Sequence, residues 1–355
     1  MRYRPLGDTG ALVSELCLGG MTFGGSGAHW QVIGGLHQNV VTEMVQMALG
    51  AGINFIDTAD VYSLGESESL IGNALVGKRH EVLVATKVQG RMGAGANRVG
   101  LSRLHIMEAV EASLTRLRTD YIDLYQIHRP DHLTDIEDTL KTLDCLVRAG
   151  KVRYIGCSNL PAWQVMKALG VSRENRLERF KCTQSYYSLV GRELERELIP
   201  LVKDQRLGLL VWSPLAGGYL SDKSAPRADQ SSRRDRLEFP PVNHDRGSEV
   251  LDVMRRIARN GARTVPQVAL AWLLAKDVVT SVIVGARSPE QLEENLRCTD
   301  VILTADELQL LDEVSRLEPE YPAWMDRLSS ERIPTDPGRR SLPGRAGAAL
   351  EGTNA

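Results

Sequence analysis

The 355 residues of this chain carry nearly balanced charge, with 43 lysine and arginine residues against 45 aspartate and glutamate residues. With a formal net charge of −2, the protein as a whole is not expected to attract nucleic acid or an anionic membrane surface electrostatically. The content of 43% hydrophobic and 25% charged residues is ordinary for a globular protein with a large core. The length alone suggests two domains, although a barrel domain often reaches this size as a single unit.

Targeting signals and cysteine usage bear on the compartment. The first ten residues, MRYRPLGDTG, lack the apolar core of a signal peptide, and no stretch approaches ~18 uninterrupted apolar residues. The five cysteines include no CxxC pair, and Cys17, Cys157 and Cys182 lie in apolar runs that resemble strands. We therefore expect reduced, buried thiols and a cytoplasmic location, with neither a membrane nor a nucleic-acid partner.

Short apolar runs alternate with amphipathic stretches along most of the chain. In one such stretch, Ile106, Val110, Leu114 and Leu117 follow at spacings of four, four and three and form one helical face. Strands separated by helices indicate parallel βα units, and eight of them predict an α/β fold, a closed (β/α)₈ TIM barrel with right-handed crossovers. The eight predicted strands are Leu16–Gly20, Asn54–Ala59, Val82–Val88, Ile122–His128, Val152–Asn159, Cys182–Ser188, Gly208–Pro214 and Ser281–Ala286.

Several segments add to the regular barrel. Tyr3–Ser14, with Gly-Asp-Thr-Gly in its middle, predicts an N-terminal β-hairpin that closes the bottom of the barrel. Helical patterns at Val265–Ala275 and Ala305–Leu317 predict extra C-terminal helices, and residues 221–245 form a long polar insertion after the seventh strand. We expect residues 1–330 to form a single domain and residues 331–355, rich in proline, glycine and arginine, to form a flexible C-terminal tail.

Polar residues collect at the predicted carboxyl ends of successive strands, which is where barrels of this kind carry their active sites. One polar residue after a strand is an ordinary loop start, but seven successive strand ends predict a single polar mouth. The residues in question are Asp57, Lys87, His128, Ser158 with Asn159, Gln184, Trp212 with Ser213 and Pro214, and the run from Gly285 to Ser288.

Four residues in three short motifs resemble the catalytic tetrad of the aldo-keto reductases: Asp57 and Tyr62 in DTADVY, Lys87 in VATKV and His128 in YQIH. LGGMTFG near the start, RYIGCSN at 153–159, VWSPLAGG at 211–218 and GARSPEQLEEN at 285–295 extend the resemblance over roughly residues 1–320. The nearest subgroup is the bacterial members that also resemble potassium-channel β subunits. The resemblance implies an NADP-dependent oxidoreductase, of the alcohol dehydrogenase type, that interconverts an aldehyde or ketone and its alcohol.

The predicted tetrad suits this chemistry, since reduction of a carbonyl needs hydride at carbon and a proton at oxygen. Tyr62 would supply the proton as general acid, and Lys87, as a neighbouring ammonium, would favour the phenolate of a group whose free pKa is about 10. Asp57 would hold the lysine and balance its charge. His128 would orient the carbonyl by hydrogen bonding, or relay the proton in the reverse direction.

A cofactor site is also predicted, although no G-x-G-x-x-G follows the first strand, which argues against a Rossmann domain. Barrels bind phosphate at the loops after strands seven and eight, near a helix N-terminus, and Ser288 reads as a helix cap there. By resemblance, Gly20, Met21 and Thr22 border the nicotinamide ribose, and Ser158, Asn159 and Gln184 hold the carboxamide, with Asp57 nearby. Tyr186 and Trp212 are both candidates for the aromatic that stacks on the nicotinamide, and the resemblance favours Trp212 as a cofactor contact.

The remaining predicted contacts concern the phosphates and adenosine. The resemblance also implies that Arg287 faces the 2′-phosphate, and because a guanidinium suits a phosphate dianion, NADPH is favoured, with NADH use left open. We expect Arg287, Gln291 and Asn295 to share one helix face because their positions advance by four. The full set after strands seven and eight is Ser213, Pro214, Leu215, Gly217, Gly285, Ala286, Arg287, Gln291, Glu294 and Asn295.

Other interpretations remain open at this stage. Asp57 and Lys87 could form a structural ion pair, with His128 a core histidine. The same residues would also serve a dehydrogenase that works mainly towards oxidation, or a non-catalytic, nucleotide-sensing subunit similar to channel β subunits. The substrate is expected to be a small carbonyl compound or alcohol. No metal site is predicted, because the other histidines lack clustered ligand partners.

Overall fold

The computed structural model describes residues 1–221 and 237–325, with backbone only for Ala28 and His29. Residues 1–316 form one compact unit, and the described part of a second unit, residues 317–325, ends in a short helical turn. Most of the predicted insertion, the predicted domain boundary at residue 330 and the predicted tail lie outside the described residues. No helix in the described ranges is long and apolar enough to cross a membrane.

Eight parallel strands close into a barrel, as predicted, with the last strand paired to both the first and the seventh barrel strands. The apolar runs that predicted them are almost entirely buried, as expected for strands covered on both faces. The barrel strands in spatial order are β3 (Leu16–Gly19), β4 (Phe55–Asp57), β5 (Leu83–Val88), β6 (Ile122–Ile127), β7 (Val152–Ser158), β8 (Cys182–Tyr186), β9 (Gly208–Trp212) and β10 (Ser281–Val284).

Helices surround the described barrel. They are α1 (Ala28–Ile33), α2 (Gln38–Gly50), α3 (Glu66–Ala74), α4 (Arg103–Leu117), α5 (Ile136–Arg148), α6 (Ala162–Asn175), α7 (Leu198–Gln205), α8 (His244–Asn260), α9 (Val265–Leu274), α10 (Pro289–Leu296) and α11 (Ala305–Val314). Short 3₁₀ turns cover Gly20–Thr22, Tyr62–Gly65, Arg79–Glu81, Glu193–Glu195, Ala216–Ser221 and Arg297–Asp300. Both predicted extra helices are present as α9 and α11, and α11 ends earlier than predicted because its C-cap is Ser315.

The predicted hairpin pairs β1 (Tyr3–Pro5) with β2 (Leu12–Ser14) in antiparallel register. Leu6 and Val13 are fully buried and share an apolar cluster with side chains from inside the barrel. The turn at Gly7 approaches the amino ends of β8 and β9 so closely that a Cβ there would lie 2.4 Å from the carbonyl oxygen of Lys181. The hairpin therefore closes the end of the barrel opposite the carboxyl ends of its strands.

The interior of the barrel has two layers, because alternate residues of each strand point inwards. The lower layer is apolar and contains Cys17, Phe55, Ala85, Leu124, Cys182, Leu210 and Ile283. The next inward position on four of these strands, two residues later, is polar and buried: Asp57, Lys87, Gln126 and Gln184. One apolar layer therefore separates this polar layer from the hairpin, and the polar layer opens towards the carboxyl ends of the strands.

The close approach of the hairpin turn can be tested with two glycines that both have positive φ, +58° at Gly7 and +76° at Gly10. Each change to alanine costs about 1–2 kcal/mol for the left-handed backbone. Gly7→Ala should lower the free energy of unfolding by about 1–3 kcal/mol more than Gly10→Ala, whose Cβ meets nothing within 4 Å. Urea denaturation measures both values, and equal losses would show that the turn is not packed against the barrel.

Candidate active site

A buried lysine lies at the centre of the polar layer. The side chain of Lys87 has no exposed surface, and its Nζ donates hydrogen bonds to Asp57 Oδ2 at 2.6 Å and to the carbonyl oxygen of Thr58 at 2.8 Å. The same Nζ lies 3.3 Å from the hydroxyl oxygen of Tyr62. The Lys87 ammonium is therefore within hydrogen-bond reach of two other predicted tetrad members, the carboxylate of Asp57 and the phenol of Tyr62.

Local backbone geometry brings Tyr62 over the end of the neighbouring strand. β4 ends at Asp57, and the chain then turns through Tyr62–Gly65, where Ser63 and Leu64 adopt φ values of 49° and 55°. Non-glycine residues rarely adopt this left-handed region, so the surrounding structure has to impose it. One restraint is a hydrogen bond of 3.1 Å from Ser63 Oγ to the carbonyl oxygen of Phe23.

Two glutamines hold the far side of the carboxylate. Asp57 Oδ1 accepts hydrogen bonds from Gln184 Nε2 at 2.7 Å and from Gln126 Nε2 at 3.3 Å. Gln184 is predicted to hold the carboxamide, whereas in the structure its side-chain amide donates to Asp57. Gln126 was not predicted, although the alternation of β6 through Leu124 and the motif YQIH places it on the inward face.

The electrostatics of the pair keep Lys87 charged. Burial acts to lower the pKa of Lys87, but the negative charge of Asp57, together with Tyr62 and the hydrogen bonds to both, outweighs burial and raises that pKa above its ordinary value. The side chain is therefore an ammonium group at neutral pH, and it is fixed beside the tyrosine hydroxyl.

His128 follows β6 and completes the predicted tetrad. Its ring centroid lies 5.7 Å from that of Tyr62 in an edge-on arrangement of 76°. Burial, followed by the positive charges of Lys87 and Arg129, lowers the pKa of His128 well below its usual value. Its Nδ1 is buried and has no hydrogen-bond partner among the described residues. His128 is thus a neutral imidazole at neutral pH.

Two further buried acidic residues, Glu68 and Asp60, were not predicted from the sequence. Glu68 on α3 is fully buried and accepts hydrogen bonds from Thr86 Oγ1 at 2.5 Å and Arg116 Nε at 2.6 Å. Asp60 is also fully buried, and burial, with Glu68 as the next cause, raises its pKa well above the usual value. Its backbone N–H donates to the carbonyl oxygen of Lys87 at 3.2 Å, which ties the DTADVY segment to β5.

The predicted carboxamide residues form a chain of hydrogen bonds across the mouth. Ser158 Oγ donates to the carbonyl oxygen of Gln184 at 2.9 Å. Asn159, with a φ of 58°, donates from Nδ2 to the carbonyl oxygen of His128 at 3.1 Å, and its Oδ1 accepts from Trp212 Nε1 at 3.0 Å. Asn159 therefore links the ends of β6, β7 and β9.

Both aromatic candidates lie side by side at the mouth. Tyr186 and Trp212 are register partners at the ends of β8 and β9, with ring centroids 5.1 Å apart. Phe239, which the sequence analysis did not single out, stacks on Trp212 at 5.6 Å with an interplanar angle of 9°. Trp212 is thus in contact with an aromatic ring from each of two neighbouring segments.

The loop after β9 contains Ser213, Pro214, Leu215 and a run of left-handed residues. Ser213, Ala216, Gly217 and Gly218 have φ values of 51°, 49°, 64° and 97°. Gly217 cannot carry a side chain here, because a Cβ would lie 2.2 Å from the carbonyl oxygen of Phe239. Turns of this kind point successive backbone N–H groups in related directions, which suits an anionic phosphate.

The loop after β10 is connected to the first barrel strand. Thr22 Oγ1 donates to the carbonyl oxygen of Ala286 at 2.8 Å, which joins the turn containing Gly20 and Met21 to this loop. A Cβ at Gly285 would meet nothing within 4 Å, so the backbone is open to a ligand there.

Helix α10 begins beside this loop, with Ser288 as its N-cap, as predicted. Arg287 precedes that cap, so it does not share the helix face as we had expected; its backbone N–H donates to Gln291 Oε1 at 3.0 Å. Its exposed guanidinium donates to the carbonyl oxygen of Val32 at 2.7 Å. Asn295 is buried and donates to the carbonyl oxygen of Gly285 at 3.4 Å, while Glu294 is exposed.

Donor groups and charge in these loops fit a nicotinamide dinucleotide. The glycine-rich turn after β9, the capped start of α10 and the exposed Arg287 lie after adjacent strands at the same end of the barrel. By contrast, no group of three or more histidine, cysteine or acidic residues in the described ranges could hold a metal ion.

The structure thus combines a parallel eight-stranded barrel with a buried lysine, carboxylate and tyrosine at the carboxyl ends of its strands. Residues 15–316 match the model of the aldo/keto reductase family, and this chain belongs to that family. The predicted family is confirmed, and with it a class of oxidoreductases that generally uses nicotinamide cofactors.

Individual relatives span nearly the whole chain. Versiconal hemiacetal acetate reductase of Aspergillus parasiticus is 36% identical over 339 residues, covering 88% of this chain and 96% of that protein. The uncharacterized oxidoreductase YrpG of Bacillus subtilis (strain 168) is 34% identical, covering 91% and 100%. A probable voltage-gated potassium channel subunit beta of Arabidopsis thaliana is 35% identical, covering 91% and 99%.

The lowered pKa of His128 predicts a pH-dependent contribution to stability. In the unfolded chain this imidazole binds a proton below about pH 6.5, whereas in the folded protein it stays neutral to lower pH. Lowering the pH from 7.5 to 5.5 therefore favours unfolding by about 1 kcal/mol through this group. His128→Asn should lose that part of the pH dependence in urea denaturation at the two pH values. The same change at the exposed His80 should keep it, and an unaltered slope in His128→Asn would refute the assignment.

Proposed function

We propose that this protein is an NADPH-dependent reductase that interconverts an aldehyde or ketone and the corresponding alcohol, with Tyr62 as general acid and base. The observation that carries the proposal is the position of the buried Lys87 ammonium, 2.6 Å from Asp57 and 3.3 Å from the Tyr62 hydroxyl. A structural ion pair would need only the first of these contacts. The second places a fixed positive charge beside a phenol at the mouth of the barrel.

The protein's own residues account for the proton. In reduction, the O–H bond of Tyr62 breaks as an O–H bond forms on the substrate oxygen; in oxidation the same proton returns. The phenolate left after donation is stabilised by Lys87, whose charge is in turn balanced by Asp57. Neutral His128, on the edge of the Tyr62 ring, can donate a hydrogen bond to the same substrate oxygen. When bound, a reduced nicotinamide supplies the hydride that the carbonyl carbon requires.

The cofactor contacts form a second part of the proposal. Trp212 and Tyr186 offer aromatic faces beside Asn159, and Ser158 lies next to them on β7. The turn through Ser213 and Gly217 would receive the pyrophosphate, as glycine-rich turns after a strand commonly do. Arg287 would pair with the 2′-phosphate, since a guanidinium forms charge-assisted hydrogen bonds with phosphate oxygens. Gln291, Glu294 and Asn295 follow on α10 and would line the adenosine.

A cytoplasmic location is proposed as well, because all five cysteines are free and four of them are buried. The similarity to the plant protein named a probable channel subunit beta supports a second candidate, a nucleotide-sensing regulatory subunit. Both candidates predict NADPH binding, and only the first predicts turnover. A panel of aldehydes and ketones, followed at the absorbance of NADPH, distinguishes them.

Removal of the proposed acid should separate chemistry from binding. Tyr62→Phe should lower turnover by a factor of about 10²–10⁴, because the substrate oxygen loses its proton donor. NADPH affinity, measured by fluorescence titration, should be nearly unchanged. Tyr3→Phe is the matched control: it removes a hydroxyl that bonds to the carbonyl oxygen of Gly52 at the other end of the barrel, and it should keep wild-type turnover. Wild-type turnover in Tyr62→Phe would rule out the assignment.

The preference for NADPH should depend on one guanidinium. Arg287→Ala should weaken NADPH binding roughly 10- to 100-fold and NADH binding far less, because only NADPH has a 2′-phosphate to lose the charged contact. Arg297→Ala is a suitable control, since this exposed arginine pairs with Glu293 along the same part of the chain. Isothermal titration with both cofactors gives the ratio. Equal weakening of the two would rule out a contact between Arg287 and the 2′-phosphate.

A further inference from the structure

The segment between β3 and α2 forms a compact loop whose ends meet. Gly24 N–H donates to the carbonyl oxygen of Leu36 at 2.9 Å, and Gly35 N–H donates to the carbonyl oxygen of Gly24. The backbones are so close that a Cβ at Gly34 would lie 2.3 Å from the Gly24 oxygen. We call residues 24–36 the closed loop; its paired ends and its length are those of an Ω-loop, a class that is frequently functional.

The closed loop is fastened to the segment that carries the proposed acid. Glu66, at the start of α3, accepts three hydrogen bonds on Oε2: from Gly25 N at 2.9 Å, Ser26 N at 3.0 Å and Ser26 Oγ at 2.7 Å. The bond from Gly25 is the main reason that the pKa of Glu66 is lowered, against the opposing effect of burial and with help from Ser26. The first residues of the closed loop are therefore hydrogen-bonded to the residue that directly follows the turn containing Tyr62.

Within the closed loop, helix α1 places an indole against the proposed acid. The Trp30 and Tyr62 rings have centroids 5.5 Å apart at an angle of 59°, and Trp30 is half-buried. Gly27, just before α1, has a φ of +93°, a backbone conformation that favours glycine. With His128 on another side, Tyr62 has an aromatic neighbour in each of two directions.

The far part of α1 is also restrained. Ile33 is buried, and the carbonyl oxygen of Val32 accepts the hydrogen bond from Arg287. The indole is thus held by contacts before and after it in the chain, from α3 and from the loop after β10. Such double restraint is expected of a group whose position matters, because a free loop would leave a large side chain to many rotamers.

We infer that Trp30 is a specificity-determining wall of the substrate site, and that it favours flat, aromatic aldehydes and ketones over saturated ones of the same size. The inference rests on the proposed function of Tyr62. A carbonyl oxygen bonded to the Tyr62 hydroxyl leaves the rest of the substrate beside the neighbouring indole. Aromatic rings gain from offset or edge-on contact with an indole beyond the area that they bury, which corresponds to a preference of about 2- to 10-fold.

The test uses benzaldehyde and cyclohexanecarbaldehyde, which have the same carbon skeleton size but a flat and a puckered ring. Because their intrinsic reactivities differ, the quantity compared between variants is the ratio of their kcat/KM values with NADPH. Trp30→Ala should lower the benzaldehyde preference 2- to 10-fold, mainly through KM, while Trp30→Phe should keep most of it. Trp163→Ala, which removes an exposed tryptophan on α6, should leave the ratio unchanged. An unchanged ratio in Trp30→Ala overturns the inference.

A binding measurement separates this inference from the proposed function. Benzamide and cyclohexanecarboxamide carry the same rings and a carbonyl oxygen but are not reduced, and their affinities can be measured by titration calorimetry with NADP⁺ present. Wild-type protein should prefer benzamide, and Trp30→Ala should lose that preference. If neither aldehyde is reduced but the preference for benzamide is present in wild-type protein and lost in Trp30→Ala, the proposed reductase activity is contradicted and the role of Trp30 as a wall of the site is supported. If benzamide does not bind, or if wild-type protein and Trp30→Ala prefer benzamide over cyclohexanecarboxamide to the same extent, the inferred role of Trp30 is overturned.

Discussion

The charge of Lys87 is the constraint on which the polar half of the barrel depends. Removing an ammonium group from water costs several kcal/mol, and a barrel interior can hold one only with a close partner and satisfied hydrogen bonds. Asp57 and the carbonyl oxygen of Thr58 meet that need from the adjacent strand. Asp57 requires its own partners, which Gln184 and Gln126 provide from two further strands. Closure of the barrel is what brings these strands around one charge.

The layered interior explains why this charge lies where chemistry can use it. Alternation along each strand places an apolar side chain two residues below each polar one, and the hairpin closes the apolar end. Among the described residues, the apolar layer and the hairpin therefore separate the ion pair from water at the amino ends of the strands. The interaction between Lys87 and the Tyr62 oxygen is strong for the same reason, since little solvent lies between them to screen it. Fold stability and reactivity thus follow from one arrangement of inward-facing residues.

Much of this could be predicted from the sequence, because it depends on local patterns. Apolar runs located all eight strands, and position after a strand located Asp57, Lys87 and His128. The glutamine contacts to Asp57 could not be predicted, since they join residues 69 and 127 positions apart through barrel closure. Nor could the path of the turn that contains Tyr62, because serine and leucine, found there at Ser63 and Leu64, are not residue types that indicate a left-handed turn. The prediction that Arg287 lies on a helix face was wrong because the spacing of four residues extends across Ser288, which is the N-cap, so Arg287 lies before the helix begins.

Arg287 lies between the proposed cofactor site and the loop that carries Trp30. Its guanidinium donates to the carbonyl oxygen of Val32, in the helix that carries Trp30, and it is also the group proposed to meet the 2′-phosphate. If phosphate oxygens draw the guanidinium away, the closed loop loses one restraint and keeps others, among them the contacts of Glu66 with Gly25 and Ser26 and the buried Ile33. Thermodynamic linkage then makes the effect mutual. If NADPH changes the affinity of a ligand that binds beside Trp30, that ligand changes the affinity for NADPH by the same factor. The hydrogen bond from Arg287 to Val32 therefore connects the proposed 2′-phosphate contact with the loop that carries Trp30.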